Sequence, residues 1–235
     1  MGIREVKYLG HSAVLINYNE SVIAIDPWLI NNPACPDALK TPEQVDLIIL
    51  THGHSDHASE APELAKRTGA EIVATYELCN IMISEGVDGS KVHYMNKGGT
   101  IGWNGLQITL TDAKHSSSYD LPTGPVYAGE ACGTIVNDGT TTLYHAGDTL
   151  LFRDMESIRE LYHPEIALLP IGDRFTMGPH EAAKAATLLG VKHAIPIHYG
   201  TFDLLTGTAE EFVTACSKYE VEPRILAPGE TFSIS

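Results

Sequence analysis

Apolar residues fall in short runs separated by turn formers over the first third of the chain. Glu5–Leu9, Ala13–Tyr18 and Ser21–Ile25 read as strands, with Asn19 and Glu20 as the hairpin turn between the last two. Asp46–Leu50 (DLIIL) reads as a strand buried on both faces, Ser59–Thr68 as a helix and Ala70–Ala74 as a strand, which together make one β-loop-α-β unit. Further strands are expected at Val92–Met95, Leu106–Thr111, Gly133–Asn137 and Thr141–His145, broken by Gly98-Gly99, Asn104-Gly105 and Asp138-Gly139. The β-loop-α-β pattern then recurs. Glu165–Leu169 is a strand, Pro179–Leu189 a helix opened by Pro and closed by Gly190, and His193–Ile197 a strand.

In both units a strand of four or five apolar residues leads into a polar loop bearing His or Asp. Two such β-rich halves with outer helices predict an α/β fold, a four-layer αββα sandwich with its functional loops at one rim. No low-complexity stretch or long linker interrupts the pattern, so residues 1–235 are expected to form one domain.

Composition narrows the function. Of 235 residues, 43% are hydrophobic and 19% charged, a globular composition that excludes disorder as the main state. Thirty acidic against fifteen basic side chains give a formal charge of −15, which repels phosphate backbones, so no nucleic-acid partner is expected. The longest apolar runs, Leu47–Leu50 and Ile166–Ile171, are far below the ~20 residues that span a bilayer, so no membrane insertion is expected. Met1–His11 carries Arg4, Glu5 and Lys7 where an export signal is apolar, and Val6 stands where N-terminal acylation wants Ser or Thr. Cys35, Cys79, Cys132 and Cys216 form no C-x-x-C pair and read as buried, reduced thiols of a cytoplasmic protein. A homo-oligomer stays open.

The strongest chemical signal is Thr51–His57, THGHSDH, between a buried strand and a helix. Its H-x-H-x-D-H pattern arises by chance somewhere in such a chain about once in a thousand. On extended backbone His52 and His54 point the same way, while Asp56 and His57, where the chain turns into the helix, can face a second centre. A helix N-cap needs one polar residue here, not four. Asp26, His115, Asp148 and His198 each follow a predicted strand and are candidates to complete the site.

The series Asp26, His52-x-His54-x-Asp56-His57, His115, Asp148, His198 resembles the five motifs of the metallo-β-lactamase superfamily, in order. Leu9-Gly10-His11-Ser12, Tyr144-His145-Ala146-Gly147-Asp148-Thr149, Phe175-Thr176-Met177-Gly178-Pro179 and Pro196-Ile197-His198-Tyr199-Gly200-Thr201 resemble its metal-dependent hydrolase branch, near the bacterial L-ascorbate-6-phosphate lactonase and N-acyl-phosphatidylethanolamine phospholipase D. The resemblance implies the αββα fold and two divalent metal ions, zinc first, with manganese, iron or nickel as alternatives. It implies His52, His54 and His115 at one ion, Asp56, His57 and His198 at the other, Asp148 bridging them, and Asp26 supporting a loop ligand. The expected reaction is attack by a metal-bridging hydroxide on an ester, lactone or phosphodiester bond of a small, anionic metabolite.

An iron-dependent oxygen or sulfur oxidoreductase is the alternative on this scaffold. His54 stands where the flavodiiron relatives have Glu, which weakens that alternative, and Asp148 in place of Cys argues against the zinc-cysteine type. His11 and His180, with Asp56, are the catalytic candidates, and Asp173, Arg174 and Tyr199 the substrate-binding ones. Ser116–Gly129 lacks apolar periodicity and is expected to be a pocket-lining loop. His93, His163 and His193 read as structural.

Overall fold

The computed structural model describes residues 2–234; Met1, where the N-terminal reading begins, and Ser235 lie outside them. Strands fill the first part of the chain: β1 (Ile3–Tyr8), β2 (Val14–Tyr18), β3 (Ser21–Ile25) and β4 (Leu47–Ile49). Then come α1 (Ser55–Ala58), α2 (Ala61–Thr68), β5 (Glu71–Thr75), α3 (Tyr76–Ser84) and β6 (Val92–Met95). The middle holds β7 (Thr100–Trp103), β8 (Leu106–Asp112), β9 (Ser118–Leu121), β10 (Gly124–Tyr127), β11 (Cys132–Asn137) and β12 (Thr142–His145). The last part holds α4 (Met155–Tyr162), β13 (Ile166–Pro170), α5 (Pro179–Leu189), β14 (His193–Ile197), α6 (Ala209–Cys216), β15 (Glu222–Pro223) and β16 (Thr231–Ser233).

These elements gather into two compact units. The first takes residues 2–97, 116–131 and 227–234; the second takes 98–115 and 132–226. Among the described residues the first has a seven-stranded sheet, β16-β1-β2-β3-β4-β5-β6, antiparallel up to β3 and parallel from β3 onward. Its parallel strands lack polar alternation because both faces are covered: Leu47, Ile48 and Ile49 are all fully buried. Leu64 and Ala65 of α2, with Leu78, Cys79 and Met82 of α3, join Ile48 and Ile72 of the sheet in this unit's core.

The second unit has its own seven-stranded sheet, β15-β14-β13-β12-β11-β8-β7, parallel from β15 to β12 and antiparallel beyond. Met155 and Ile158 of α4, Ala182, Ala186 and Leu189 of α5, and Phe212 and Cys216 of α6 pack with Ala167 and Leu169 of β13. Helix α5 has the bounds expected from its punctuation, Pro179 in its first turn and Gly190 left-handed at φ 66° after its end. The two units thus repeat one mixed-sheet plan, as the recurring β-loop-α-β pattern foretold.

Some expectations need correction. The helix read over Ser59–Thr68 is two helices, and the first begins inside the histidine motif. Pro62 sits in the first turn of α2, where its missing N–H is harmless; further along a continuous helix its ring would strike the carbonyl of residue 58. Ser116–Gly129 is not an open loop but the hairpin β9–β10, a separate two-stranded sheet that turns at Pro122 and Thr123. Helices α3, α4 and α6 went unread although Leu78/Met82, Met155/Ile158 and Phe212/Cys216 have helical spacing. All four cysteines are buried thiols outside any disulfide. Among the described residues no helix is long and apolar enough to cross a membrane.

Candidate metal centre

In the first unit the motif begins two residues after β4. His52 and Gly53 continue the chain, His54 is extended at φ −60°, ψ 152°, and α1 starts at Ser55, so Asp56 and His57 lie on a helical turn as the sequence predicts. His52 Nε2 and His54 Nδ1 approach to 3.0 Å.

One aspartate organises this half. Asp26, fully buried, accepts the Thr51 N–H at Oδ1 (2.8 Å), and at Oδ2 both the Thr51 hydroxyl (2.6 Å) and His57 Nδ1 (2.8 Å). A carboxylate only accepts, so His57 donates from Nδ1 and carries its lone pair on Nε2. The Thr51 proton is committed to Asp26, so its oxygen, 3.0 Å from His52 Nδ1, accepts from that nitrogen. His52 therefore also presents Nε2. A single carboxylate sets two imidazole tautomers, one directly and one through a threonine, which is how metal-binding histidines are oriented. One donor atom from each of Asp26, His52 and His57 lie within 4.8 Å of one another, and Asp26 is hydrogen-bonded directly to His57 and through Thr51 to His52.

His11, fully buried, donates from Nε2 to Asp56 Oδ2 at 3.0 Å and stands edge-on to Trp28, ring centroids 5.2 Å apart. Gly53 is required by the hairpin: a Cβ there would lie 2.6 Å from Ala128 Cβ and 2.9 Å from the Ser118 carbonyl. Ser117 Oγ accepts the Gly53 N–H at 3.1 Å, and Ser116 Oγ lies 3.5 Å from His54 Nε2.

In the second unit the candidates sit on three separate loops, after β8, β12 and β14. Asp148 Oδ2 lies 3.1 Å from His198 Nε2 and 3.6 Å from His115 Nε2, so one carboxylate oxygen faces two imidazoles. Thr149, buried beside it, fixes the loops: its hydroxyl accepts the Lys114 N–H (2.9 Å) and its carbonyl the Met177 N–H (3.0 Å). His198 is left-handed at φ 55°, and Gly172 makes room for it, since a Cβ there would lie 2.3 Å from the His198 carbonyl oxygen. His11 and Asp26 are left-handed too, at φ 56° and 47°, a backbone cost of about 1–3 kcal/mol each that functional loops typically carry.

The other candidates also lie in the second unit. Asp173 and His180 line a pocket of about 470 Å³ with Gly178, Glu181, Thr206 and Glu211. Asp173 Oδ2 accepts the Thr206 hydroxyl at 2.9 Å, and the Arg174 guanidinium lies over the Phe175 ring, 5.8 Å from its centroid. Tyr199 packs against the helical core, and burial raises its phenol pKa, with Glu210 adding to the shift. Of the histidines read as structural, His93 pairs with Glu71 across β5 and β6, His193 with Glu222 (3.1 Å), and His163 caps α4. Thr51, Ser117, Thr149 and Gly172 were not singled out from the sequence. Thr51 and Thr149 were marked only by standing next to a candidate ligand.

Imidazole and carboxylate donors without thiolate suit a borderline divalent ion such as zinc, manganese, iron or nickel. Residues 21–199 match the model of the beta-lactamase superfamily domain, and the chain belongs to that superfamily. A UPF0173 metal-dependent hydrolase of Rubrobacter xylanophilus is 44% identical over 98% of this chain and 96% of its own. One from Methanopyrus kandleri is 45% identical over 97% of this chain and 98% of its own. A solved metallo hydrolase from the archaeon Ignicoccus hospitalis superposes with a TM-score of 0.87 at 36% identity, covering 99% of this chain and 98% of that one. The mixed α/β architecture, with two large sheets and helices, is thus the metallo-β-lactamase fold, and the protein is a metal-dependent hydrolase.

Proposed function

We propose that the protein hydrolyses an ester, lactone or phosphodiester bond of a small, anionic metabolite with two divalent ions, zinc first among the candidates. His52, His54 and His115 hold one ion, Asp56, His57 and His198 the other, and Asp148 is shared. The observation that carries this reading is Asp148 Oδ2, which faces the imidazoles assigned to different ions, His115 at 3.6 Å and His198 at 3.1 Å. When bound, the ions would supply Lewis acidity that polarises the scissile group and makes water a better nucleophile.

The chain's own residues do the rest. Asp26 keeps Nε2 of His52 and His57 directed at the ions. His11 fixes the Asp56 carboxylate by its 3.0 Å hydrogen bond, so that Asp56 can both ligate and receive a proton from the attacking water. His180 and Asp173, which line the 470 Å³ pocket, are assigned to the substrate together with Arg174 and Tyr199, Arg174 gripping an anionic group by two N–H donors. The family match at residues 21–199 runs across both compact units, which supports treating 1–235 as one functional domain. Four buried thiols outside any disulfide suit the reducing cytoplasm.

Elemental analysis of protein purified without added metal, followed by an ester, lactone and phosphodiester screen with and without chelator, tests the proposal. Two equivalents of metal per chain and chelator-sensitive hydrolysis are expected. Saturation at one equivalent, with Asp56 and His198 indifferent to substitution, rejects the dinuclear assignment. Chelator-insensitive turnover rejects the mechanism.

A further inference from the structure

Glu60 precedes α2 at the N-cap position, where a side-chain acceptor ordinarily serves its own helix, yet it makes no such bond. Its carboxylate crosses to the loop that follows Asp26. Oε2 accepts the backbone N–H groups of Leu29 (2.8 Å) and Ile30 (2.7 Å), and Oε1 accepts the backbone N–H (2.8 Å) and side-chain Nδ2 (3.0 Å) of Asn31. Four donors on one carboxylate are a charge-assisted cluster stronger than the neutral hydrogen bonds of an ordinary turn.

This clamp joins the same two segments as the Asp26–His57 hydrogen bond. Glu60 lies three residues after His57, and its partners lie three to five residues after Asp26. Between them, the Asp26 carbonyl accepts the Trp28 N–H at 2.8 Å, and the Trp28 ring stacks edge-on against His11, which holds Asp56. The loop therefore supports both Asp56 and His57, and its distance from α1 is set at one end by Asp26 and at the other by Glu60.

We propose that Glu60 is a positioning residue for the metal centre: by latching the Leu29–Asn31 backbone it fixes Asp26 against His57 and His11 against Asp56. The proposal rests on the reading that Asp56 and His57 ligate the second ion. Glu60→Gln replaces one acceptor oxygen by an NH₂ group that must face N–H donors, so half the clamp turns repulsive while the side-chain volume stays the same.

The test uses the full-length protein and zinc, with affinities from competition against a chromogenic chelator, melting of the metal-free protein, and visible absorption of the cobalt-substituted form. Glu60→Gln is expected to weaken the zinc equivalent assigned to Asp56 and His57 about tenfold, at the lower end of the range for a carboxylate that touches the ligand itself, and the other equivalent less. The cobalt absorption of that site should change as well. Glu63→Gln, on the exposed side of the same helix, should leave both equivalents at wild-type affinity. Glu60→Asp, which retains the charge one methylene short, should fall between wild type and Glu60→Gln, and it carries the test if Glu60→Gln does not fold. Wild-type zinc affinities and an unchanged cobalt spectrum in the folded Glu60 variant overturn the proposal, as does a lowered melting point alone. If the wild-type protein takes up no zinc, the dinuclear reading itself fails and takes this one with it.

Discussion

The two units solve one problem by different means. Both end strands in loops that carry His and Asp, on sheets that run antiparallel on one side and parallel on the other. In the first unit four candidate ligands follow one another on a single loop and helical turn, and side chains hold them: Asp26, Thr51, His11 and Ser117. In the second, three candidates come from three loops held through Thr149, whose hydroxyl and carbonyl each accept a backbone N–H of another loop, and by the bare Cα of Gly172. A concentrated site needs hydrogen-bonding neighbours to orient each side chain, whereas a dispersed one needs its loops fixed relative to one another.

The largest effect is expected where the dispersed half depends on one side chain. Asp148→Asn keeps the shape but, on the proposed assignment, would remove a negative charge from between two cations and raise their repulsion. Both ions should loosen together and hydrolysis should fall by more than the roughly 100-fold that bounds losses from an orienting carboxylate. Metal analysis and rate measurement decide it; two ions retained with full activity would end the bridging assignment.

Next come the two glycines, one from each unit. In Gly172→Ala the new Cβ lies 2.3 Å from the His198 carbonyl oxygen and 3.0 Å from Leu205 Cδ2; in Gly53→Ala it lies 2.6 Å from Ala128 Cβ. The nearest backbone atom is 2.3 Å away at Gly172 but 2.9 Å away at Gly53, the Ser118 carbonyl oxygen, so Gly172→Ala should cost more, about 3 kcal/mol or above against about 1–3 for Gly53→Ala. Denaturant unfolding in chelator measures both. A reversed order would mean that the hairpin, not the β13 loop, is the rigid partner.

Asp26→Asn is expected to be milder than Asp148→Asn because every proposed ligand stays in place. Its amide cannot accept from Thr51 and His57 on both ends, so the tautomers of His52 and His57 are no longer imposed. Metal affinity should drop 10- to 100-fold, with effects on both ions because the two histidines are assigned to different ones. Loss confined to one ion would break the Asp26–Thr51–His52 chain, and complete loss would make Asp26 a ligand.

The same contrast governs what the sequence disclosed. The His52-to-His57 motif was legible because its chemistry is contiguous and its backbone change, from extended chain to helix, is written in the spacing. Asp148 and His198 were legible only as polar residues ending apolar runs, and it took the family resemblance to join them. The latch of Glu60 was hidden because its partners are backbone N–H groups of residues 29–31, which no side-chain identity announces. Hairpin β9–β10 was missed because its strands are covered only in part: Tyr119 is their one buried residue, and Leu121 and Val126 pack on the core while still partly exposed. Strands buried on both faces, such as β4 and β13, were easy, since burial there demands continuous apolar runs.

The smallest effect concerns the thiols, for which the two units should behave alike. Burial pushes Cys35 up to about 11 and Cys79 to about 12 in the first unit, and Cys216 to about 11 in the second. All three stay protonated near neutrality, so a thiol reagent at pH 8 should leave the folded protein unmodified and react with four thiols after denaturation. A thiol whose folded pKa is raised contributes nothing below its unfolded value of 9.0, where both states hold the proton. Above it the unfolded chain releases the proton first, so stability falls as pH rises from about 9 toward 11 or 12. Cys79 is the cleanest probe, because its thiol is fully buried and its sulfur donates to the Ala74 carbonyl at 3.4 Å. Cys79→Ala should lower stability at pH 7 through lost packing, yet flatten the alkaline decline by up to one proton, about 1.4 kcal/mol per pH unit. Denaturant midpoints between pH 8 and 10 measure this, and an unchanged slope would show that Cys79 opens to solvent before the unit unfolds.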